Sequence, residues 1–268
     1  MKRALYLAAA IVVAVFCTGP LLWQLVTSLR PEEELTELGL PTHLTLDSYR
    51  AAFAGQPLGR ALVNSLVLSV TTTVVSLLLA SAGAFALAKL ELRGRRLVLG
   101  GALLASMFPS VATLIPLYLL LRALGLRDHL GGLLLPYTTF ALPTALWILH
   151  GYFRGIPDEI YRAALLDGCS PLQAFYKVML PLAAPGLATT AILVFISAYN
   201  ELLFALTFTS SPSARTVPVA ISMFAGEHKE PWGEIAAASV IATLPVLAVA
   251  LGCQRWIIRG LTAGAVKG

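Results

Sequence analysis

Six long apolar stretches dominate the chain and leave few ways for it to fold. They run Ala4 to Ser28, Ala61 to Leu90, Leu97 to Leu124, Leu130 to Tyr152, Met179 to Phe208 and Ile235 to Ile258. A bilayer core takes about 20 apolar helical residues to cross, so each stretch has the length of a transmembrane helix. In lipid every backbone polar group must be satisfied within the segment, which makes helices the natural state for stretches of this length. With 57% hydrophobic and only 12% charged residues, the 268-residue chain departs from the composition of a soluble domain. A cytosolic enzyme, a disordered chain and a disulfide-stapled secreted module are poor fits. The expectation is an all-α integral membrane protein of about six spans.

Lys2 and Arg3 precede the first stretch as they would in a signal peptide. The stretch is too long for the apolar region of one, and Gln24, Thr27 and Ser28 end it without a small-residue cleavage site, so it reads as a retained helix. The organisation is then a first transmembrane helix over 1–30, an outer loop over 31–60, a five-helix core over 61–259 and a tail over 260–268. The core includes an inner loop at 156–185 and an outer loop at 209–234.

Basic residues set the orientation, because Lys and Arg collect on the cytoplasmic side. An inside N-terminus puts twelve of the 19 basic residues on the cytoplasmic face and seven outside. Most of the acidic residues, such as Glu32 to Glu34 and Asp128, then lie outside. Both termini fall inside, and the net charge of +5 reflects topology rather than a nucleic-acid partner.

Cys17, Cys169 and Cys253 are scattered, as are the four histidines, and neither set has metal-ligand or redox spacing. No catalytic constellation or metal site is expected. The outer stretch Val217 to Phe224 is apolar but too short to span; a re-entrant segment and an outer-face helix both fit it.

The inner stretch Ile156 to Pro185 is the most informative. Pro157 at a first helical position, with Asp158 and Glu159 in the first turn, starts a helix. Asp167-Gly168 stops it, and Ser170-Pro171 with Gln173 forms a capping box that starts another. Pro181 and Pro185 kink the chain as it enters the next span. Two short helices around a sharp turn carry Ile160, Ala163, Ala164, Leu165, Leu166, Phe175 and Tyr176, which need a partner. That partner is either the underside of the bundle or a soluble protein.

This segment resembles the EAA loop of the permeases of ABC importers, whose pattern is Glu-Ala-Ala, three residues, Gly, and a later Leu-Pro. Here it stands as Arg162-Ala163-Ala164-Leu165-Leu166-Asp167-Gly168, with Phe175, Leu180-Pro181 and Pro185 following at family spacing. The similarity extends over almost the whole chain and is closest to carbohydrate permeases of the maltose and trehalose type, second permease subunit. Asn64-Ser65, Phe108-Pro109, Phe140 to Pro143 and the ending Gly260 to Gly268 also resemble that family. Arg162 departs from it by reversing the charge of the leading glutamate.

The resemblance implies a type I importer permease fold with a coupling-helix hairpin that sits in a cleft of an ATPase subunit. Arg162, Ala163, Ala164, Leu165, Asp167, Gly168, Phe175 and Pro181 would form the coupling segment, and Thr262, Gly264 and Lys267 would reach toward the same subunit. The implied partners are a homologous second permease, two ATPase subunits, an extracytoplasmic sugar-binding protein and a di- or oligosaccharide. ATP and magnesium would belong to the ATPase subunits. This chain has no GxxxxGK[ST] phosphate loop, so the energy comes from elsewhere.

Polar residues inside the membrane are costly and therefore informative. The chain's two asparagines, Asn64 and Asn200, fall in predicted spans, and Glu201 follows Asn200. Asn64, Tyr199, Asn200 and Glu201 are candidates for the path or its gate; an interhelical hydrogen-bond network fits them as well. Gln24, Tyr118 and Tyr137 fit packing or interfacial anchoring. A secondary transporter would need mid-membrane coupling carboxylates, of which Glu201 is the lone example. Glycerol phosphate is an alternative cargo, but the spans carry few basic residues to accept it.

Overall fold

In the computed structural model, which describes residues 2–35, 39, 41–55, 57–224 and 230–265, the chain is helical and forms no strand among those residues. Four helices are long and apolar enough to cross a bilayer: α1 (Lys2–Ser28), α3 (Leu58–Lys89), α6 (Leu130–Gly155) and α13 (Trp232–Ala265). The predicted outer loop 31–60 holds the helix α2 (Asp47–Gly55), and α3 begins before residue 61.

Two predicted spans are bent pairs rather than single rods. The stretch 97–124 divides into α4 (Arg95–Ser106) and, after a short 3-10 turn, α5 (Leu114–Ala123), with a 93° bend at the break. Pro109 sits at that break, and its ring and missing N–H forbid the helix from running through. Pro136 and Pro143, by contrast, lie inside α6, which stays one continuous helix packed along α3 and α4.

The stretch 179–208 is likewise divided. The helices α7 (Asp158–Leu166) and α8 (Pro171–Ala174) lead into a π-helical turn at Phe175–Met179 and then α9 (Leu180–Leu182). The spanning helix α10 (Ala184–Tyr199) follows at 76° to that segment. It stops at Tyr199, and α11 (Leu203–Phe208) starts after a three-residue break. The predicted tail at 260 is not separate: α13 continues through it to Ala265, taking in Thr262 and Gly264, while Lys267 lies outside the described residues.

The centre of the bundle is α3 packed on α6 and α10. Its buried face alternates small and hydroxylated residues: Ala61, Ser65, Ser69, Thr72, Thr73, Ser76, Ala80 and Ala84. Small side chains let helix backbones approach closely, the packing term that associates helices once lipid has removed the hydrophobic drive. Some of these hydroxyls bond back to their own helix, Ser69 to the Ser65 carbonyl at 2.6 Å and Thr73 to that of Ser69 at 2.7 Å, while those of Thr72 and Ser76 are buried without a partner. Helix α10 approaches α6 through Gly186, where a Cβ would meet the ring of Tyr152. The outward faces are apolar, with Phe16 on α1 and Leu97 on α4 more than 80% exposed, as suits a lipid surround.

Side-chain contacts join neighbouring segments at each end of the bundle. Lys89 and Asp158 join two loops assigned inside; Asp128 and Ser210 join two assigned outside.

Candidate functional site

The hairpin α7–α8 is built as its residues dictate. Pro157 caps α7 rather than occupying its first turn, and Asp158 and Glu159 follow at the positive end of the helix dipole. At the other end Gly168 has φ +87°, a left-handed conformation that glycine adopts freely. The Gly168 N–H donates to the Leu165 carbonyl at 3.1 Å and the Cys169 N–H to that of Ala164 at 3.0 Å, the paired bonds of a Schellman closure. The capping box is present in both directions: the Gln173 N–H donates to Ser170 Oγ at 3.3 Å, and the Ser170 N–H to Gln173 Oε1 at 2.9 Å. Pro181 withdraws the N–H that would continue the α-helical ladder, and the preceding turn widens into the π form.

One side of the hairpin is fastened to the bundle. Tyr161, Ala164, Ala174 and Met179 are buried against Phe85 of α3 and Phe153 of α6. Phe85 contacts Tyr161 edge-on with ring centroids 5.7 Å apart, and Phe175 at 5.0 Å. Offset and edge-on aromatic pairs add directional energy to the area they bury. The Lys89 ammonium, at the end of α3, donates to the Ile156 carbonyl and to Asp158. The hydrogen bond and charge of Lys89 hold the Asp158 carboxyl below the ordinary carboxylate range, with Arg162 adding a weaker pull.

The other side is left open. Leu166 is 88% exposed and Leu172 68%, with Ile160, Leu165 and Tyr176 exposed beside them. Arg162, Ala163, Asp167 and Gly168 lie on the same exposed surface. Ala164 and Phe175, grouped with these by the sequence, belong to the packed side instead. The apolar residues of the hairpin thus divide between a side packed on the bundle and an exposed side.

The intramembrane polar residues terminate helices and brace loops. Asn200 Nδ2 donates back to the Ile196 carbonyl at 3.0 Å, at the end of α10. The Glu201 carboxylate accepts from the N–H groups of Phe204 at 2.9 Å and Ala205 at 3.2 Å, at the start of α11. Glu201 therefore satisfies N–H groups that the break in the fifth span would otherwise strand, whereas the Ile196 carbonyl reached by the Asn200 side chain also accepts from the Asn200 backbone N–H at 3.1 Å. The Tyr199 ring is buried, stacked on Phe195 at 5.8 Å, and its hydroxyl donates to the Ala242 carbonyl at 3.0 Å. Asn64 is buried and donates to the carbonyls of Ser213 and Arg215 at 3.0 and 2.8 Å. Its neighbour Ser65 accepts from the Val217 N–H at 2.8 Å. Together they fix α12 (Val217–Ser222), whose Val217, Val219 and Ala220 are buried against α3 and α13.

Tyr199 and Asn200 also border a cavity of about 380 Å³ between α10, α12 and α13, whose polar rim includes Ser239 and Thr243. Sequence reasoning missed both hydroxyls, which sit in an apolar stretch without a polar neighbour.

A second staple was also missed. Asp128, at φ +61°, accepts from the N–H groups of Ser210 and Ser211 at 2.8 and 2.9 Å and ties the α5–α6 turn to the loop after α11. Those two backbone bonds hold its carboxyl at about 2.

The family model for the inner membrane component of binding-protein-dependent transport systems matches residues 73–263. The chain belongs to this family. Among its relatives, the trehalose transport system permease protein SugB of Mycobacterium tuberculosis is 46% identical over 271 residues, covering 100% of this chain and 99% of the relative. The trehalose/maltose transport system permease protein MalG of Thermococcus litoralis is 40% identical over 274 residues, with 100% and 98% covered. In structure the permease matches a chain of a bacterial ABC transporter that imports the acidic polysaccharide alginate, with a TM-score of 0.80 over 95% of this chain and 96% of that one. At 24% identity, that match establishes the ABC importer permease fold.

Proposed function

We propose that the chain is one of two homologous permease subunits of an ATP-driven importer for a neutral di- or oligosaccharide of the trehalose or maltose class. The observation that carries the reading is the hairpin with two apolar sides. One is packed on Phe85 and Phe153, the other, around Leu166, is open to a partner outside the chain. Full-length similarity to permeases of trehalose and maltose systems supports the sugar class.

In this reading the hairpin faces the cytoplasm and docks an ATPase subunit that binds ATP and magnesium. Arg162, Ala163, Leu165 and Asp167 meet that subunit beside Leu166. Gly168 sets the turn and Pro181 the bend behind it, while Ala164 and Phe175 pass the motion to α3. The end of α13, with Thr262 and Gly264, reaches the same side, and the family resemblance assigns Lys267 to it as well. An extracytoplasmic binding protein delivers sugar to the opposite face, and the cavity beside Asn200 forms part of the path. Glu201, Tyr199 and Asn64 hold the gate region in shape. The permease has no ATPase site of its own, and it lies in a prokaryotic cytoplasmic membrane with both termini inside.

The test is to copurify the chain with its complex and measure ATP hydrolysis against a panel of binding proteins, each with and without its sugar. Stimulation by a trehalose or maltose binding protein with its sugar supports the assignment. Stimulation only by a binding protein for a charged cargo overturns the sugar class, and failure to copurify any ATPase subunit overturns the permease role.

A further inference from the structure

At the hairpin end of the bundle, α3, α4 and α6 enclose a cavity of about 390 Å³ that the transport reading does not use. It is lined by Lys89, Arg95, Arg96, His150, Arg154 and one acid, Asp158. Lys89 is paired with Asp158, which leaves three guanidinium groups with no ion pair among the described residues. Two of them, Arg95 and Arg96, occupy the first turn of α4, which has no acidic residue and no side-chain cap. Cations are unfavourable at the positive end of a helix dipole, and Arg95, Arg96 and Arg154 are all exposed, so the cluster is open to an anion from outside the chain.

The surroundings say which anion. Leu103 and Met107, which follow Arg96 and Leu99 on the same face of the helical chain, are 47% and 74% exposed, so an apolar strip continues from the lining residues of α4. Trp147 of α6 donates its indole N–H to the Leu99 carbonyl at 3.1 Å and pins α4 beside the opening, where a half-exposed Trp suits the headgroup layer. We propose that this cavity binds the phosphate headgroup of an anionic phospholipid, with the acyl chains lying along Leu103 and Met107. Guanidinium forks match phosphate oxygens bidentately, and basic pockets between transmembrane helices are the usual sites for such headgroups. The lipid would complete the first turn of α4 and seat it beside the Lys89–Asp158 link to the hairpin.

The test uses the intact purified transporter in nanodiscs of phosphatidylglycerol mixed with phosphatidylcholine, with retained lipid counted by native mass spectrometry. The wild type is expected to retain phosphatidylglycerol in preference to phosphatidylcholine. The triple variant Arg95→Gln, Arg96→Gln, Arg154→Gln should lose at least tenfold of that preference, and the triple lysine variant should keep part of it. Millimolar inorganic phosphate should not displace the lipid. Equal retention in the wild type and the glutamine variant overturns the proposal, as does displacement by free phosphate. Loss of the ATPase subunit from the glutamine variant with phosphatidylglycerol still retained also overturns it, since the cluster would then serve a protein surface.

Discussion

The ring of Phe175 lies 5.0 Å, centroid to centroid, from that of Phe85, so the exposed hairpin and the central helix α3 share one aromatic cluster. Phe153 and Tyr161 complete it at 6.0 and 5.7 Å from Phe85. A push on the hairpin therefore meets packed rings, which transmit displacement because close-packed interiors compress little. Phe85→Ala should cost roughly 3 kcal/mol of stability, the range for a buried Phe truncation. Phe85→Leu should recover most of it. Thermal unfolding of the purified complex by tryptophan fluorescence checks both, and ATPase stimulation by sugar-loaded binding protein should fall further than stability in the alanine variant.

At Gly168 the open space around the Cα separates backbone strain from crowding, since a Cβ there would touch nothing. Gly168→Ala should cost about 1 kcal/mol for the left-handed conformation alone, and Gly168→Asn should cost less because asparagine tolerates it. Gly168→Val should cost more than either. The ranking can be read from melting temperatures; equal values for alanine and asparagine would place the strain elsewhere.

Gly186 is the opposite case. Its Cβ would run into the Tyr152 ring, so Gly186→Ala should overpack the α6–α10 contact and lose about 1–3 kcal/mol. A double-mutant cycle with Tyr152→Ala should recover a large part of that loss, because the two positions share one space. Additive effects would show that the helices separate instead.

Asp128 links stability to acid. Its folded carboxyl is depressed from the ordinary 3.8 to about 2, so the staple contributes fully above about pH 4 and is lost as pH falls through 2. Asp128→Ala should therefore cost on the order of 1 kcal/mol near neutral pH after allowing for solvent screening. The difference in melting temperature between the variant and the wild type should shrink as pH drops from 4 toward 2. A difference that stays constant over that range would mean the carboxylate charge plays no part.

The hairpin was legible because its signals are local. Gly168 demands one conformation, Ser170 and Gln173 cap each other, and Pro157 and Pro181 stand where one helical segment gives way to the next. The bends in the third and fifth stretches were not read from hydropathy, which measures apolar content and is blind to direction. Pro109 stands at the break in its stretch while Pro20, Pro136 and Pro143 lie inside continuous helices, so the presence of a proline does not by itself locate a bend. Asn200 and Glu201 stood out correctly as costly in lipid. Both side chains turn back onto the backbone at a helix break, Glu201 to the N–H groups that open α11 and Asn200 to the Ile196 carbonyl, which no residue-type pattern distinguishes from lining a path. Asp128 was sorted to the right face, but its partners Ser210 and Ser211 are more than eighty positions away and left no trace in its own neighbourhood.

The central claim is that the open side of the hairpin receives the motor, and Leu166 is its most exposed apolar residue at 88%. Leu166→Asp touches nothing in the packed cluster, so folding and permease pairing should be unchanged. Sugar-stimulated ATP hydrolysis by the purified complex carrying this change is the direct measurement. The account predicts loss of stimulation by at least tenfold with the melting temperature of the permease pair unaltered, and stimulation at the wild-type level would contradict it.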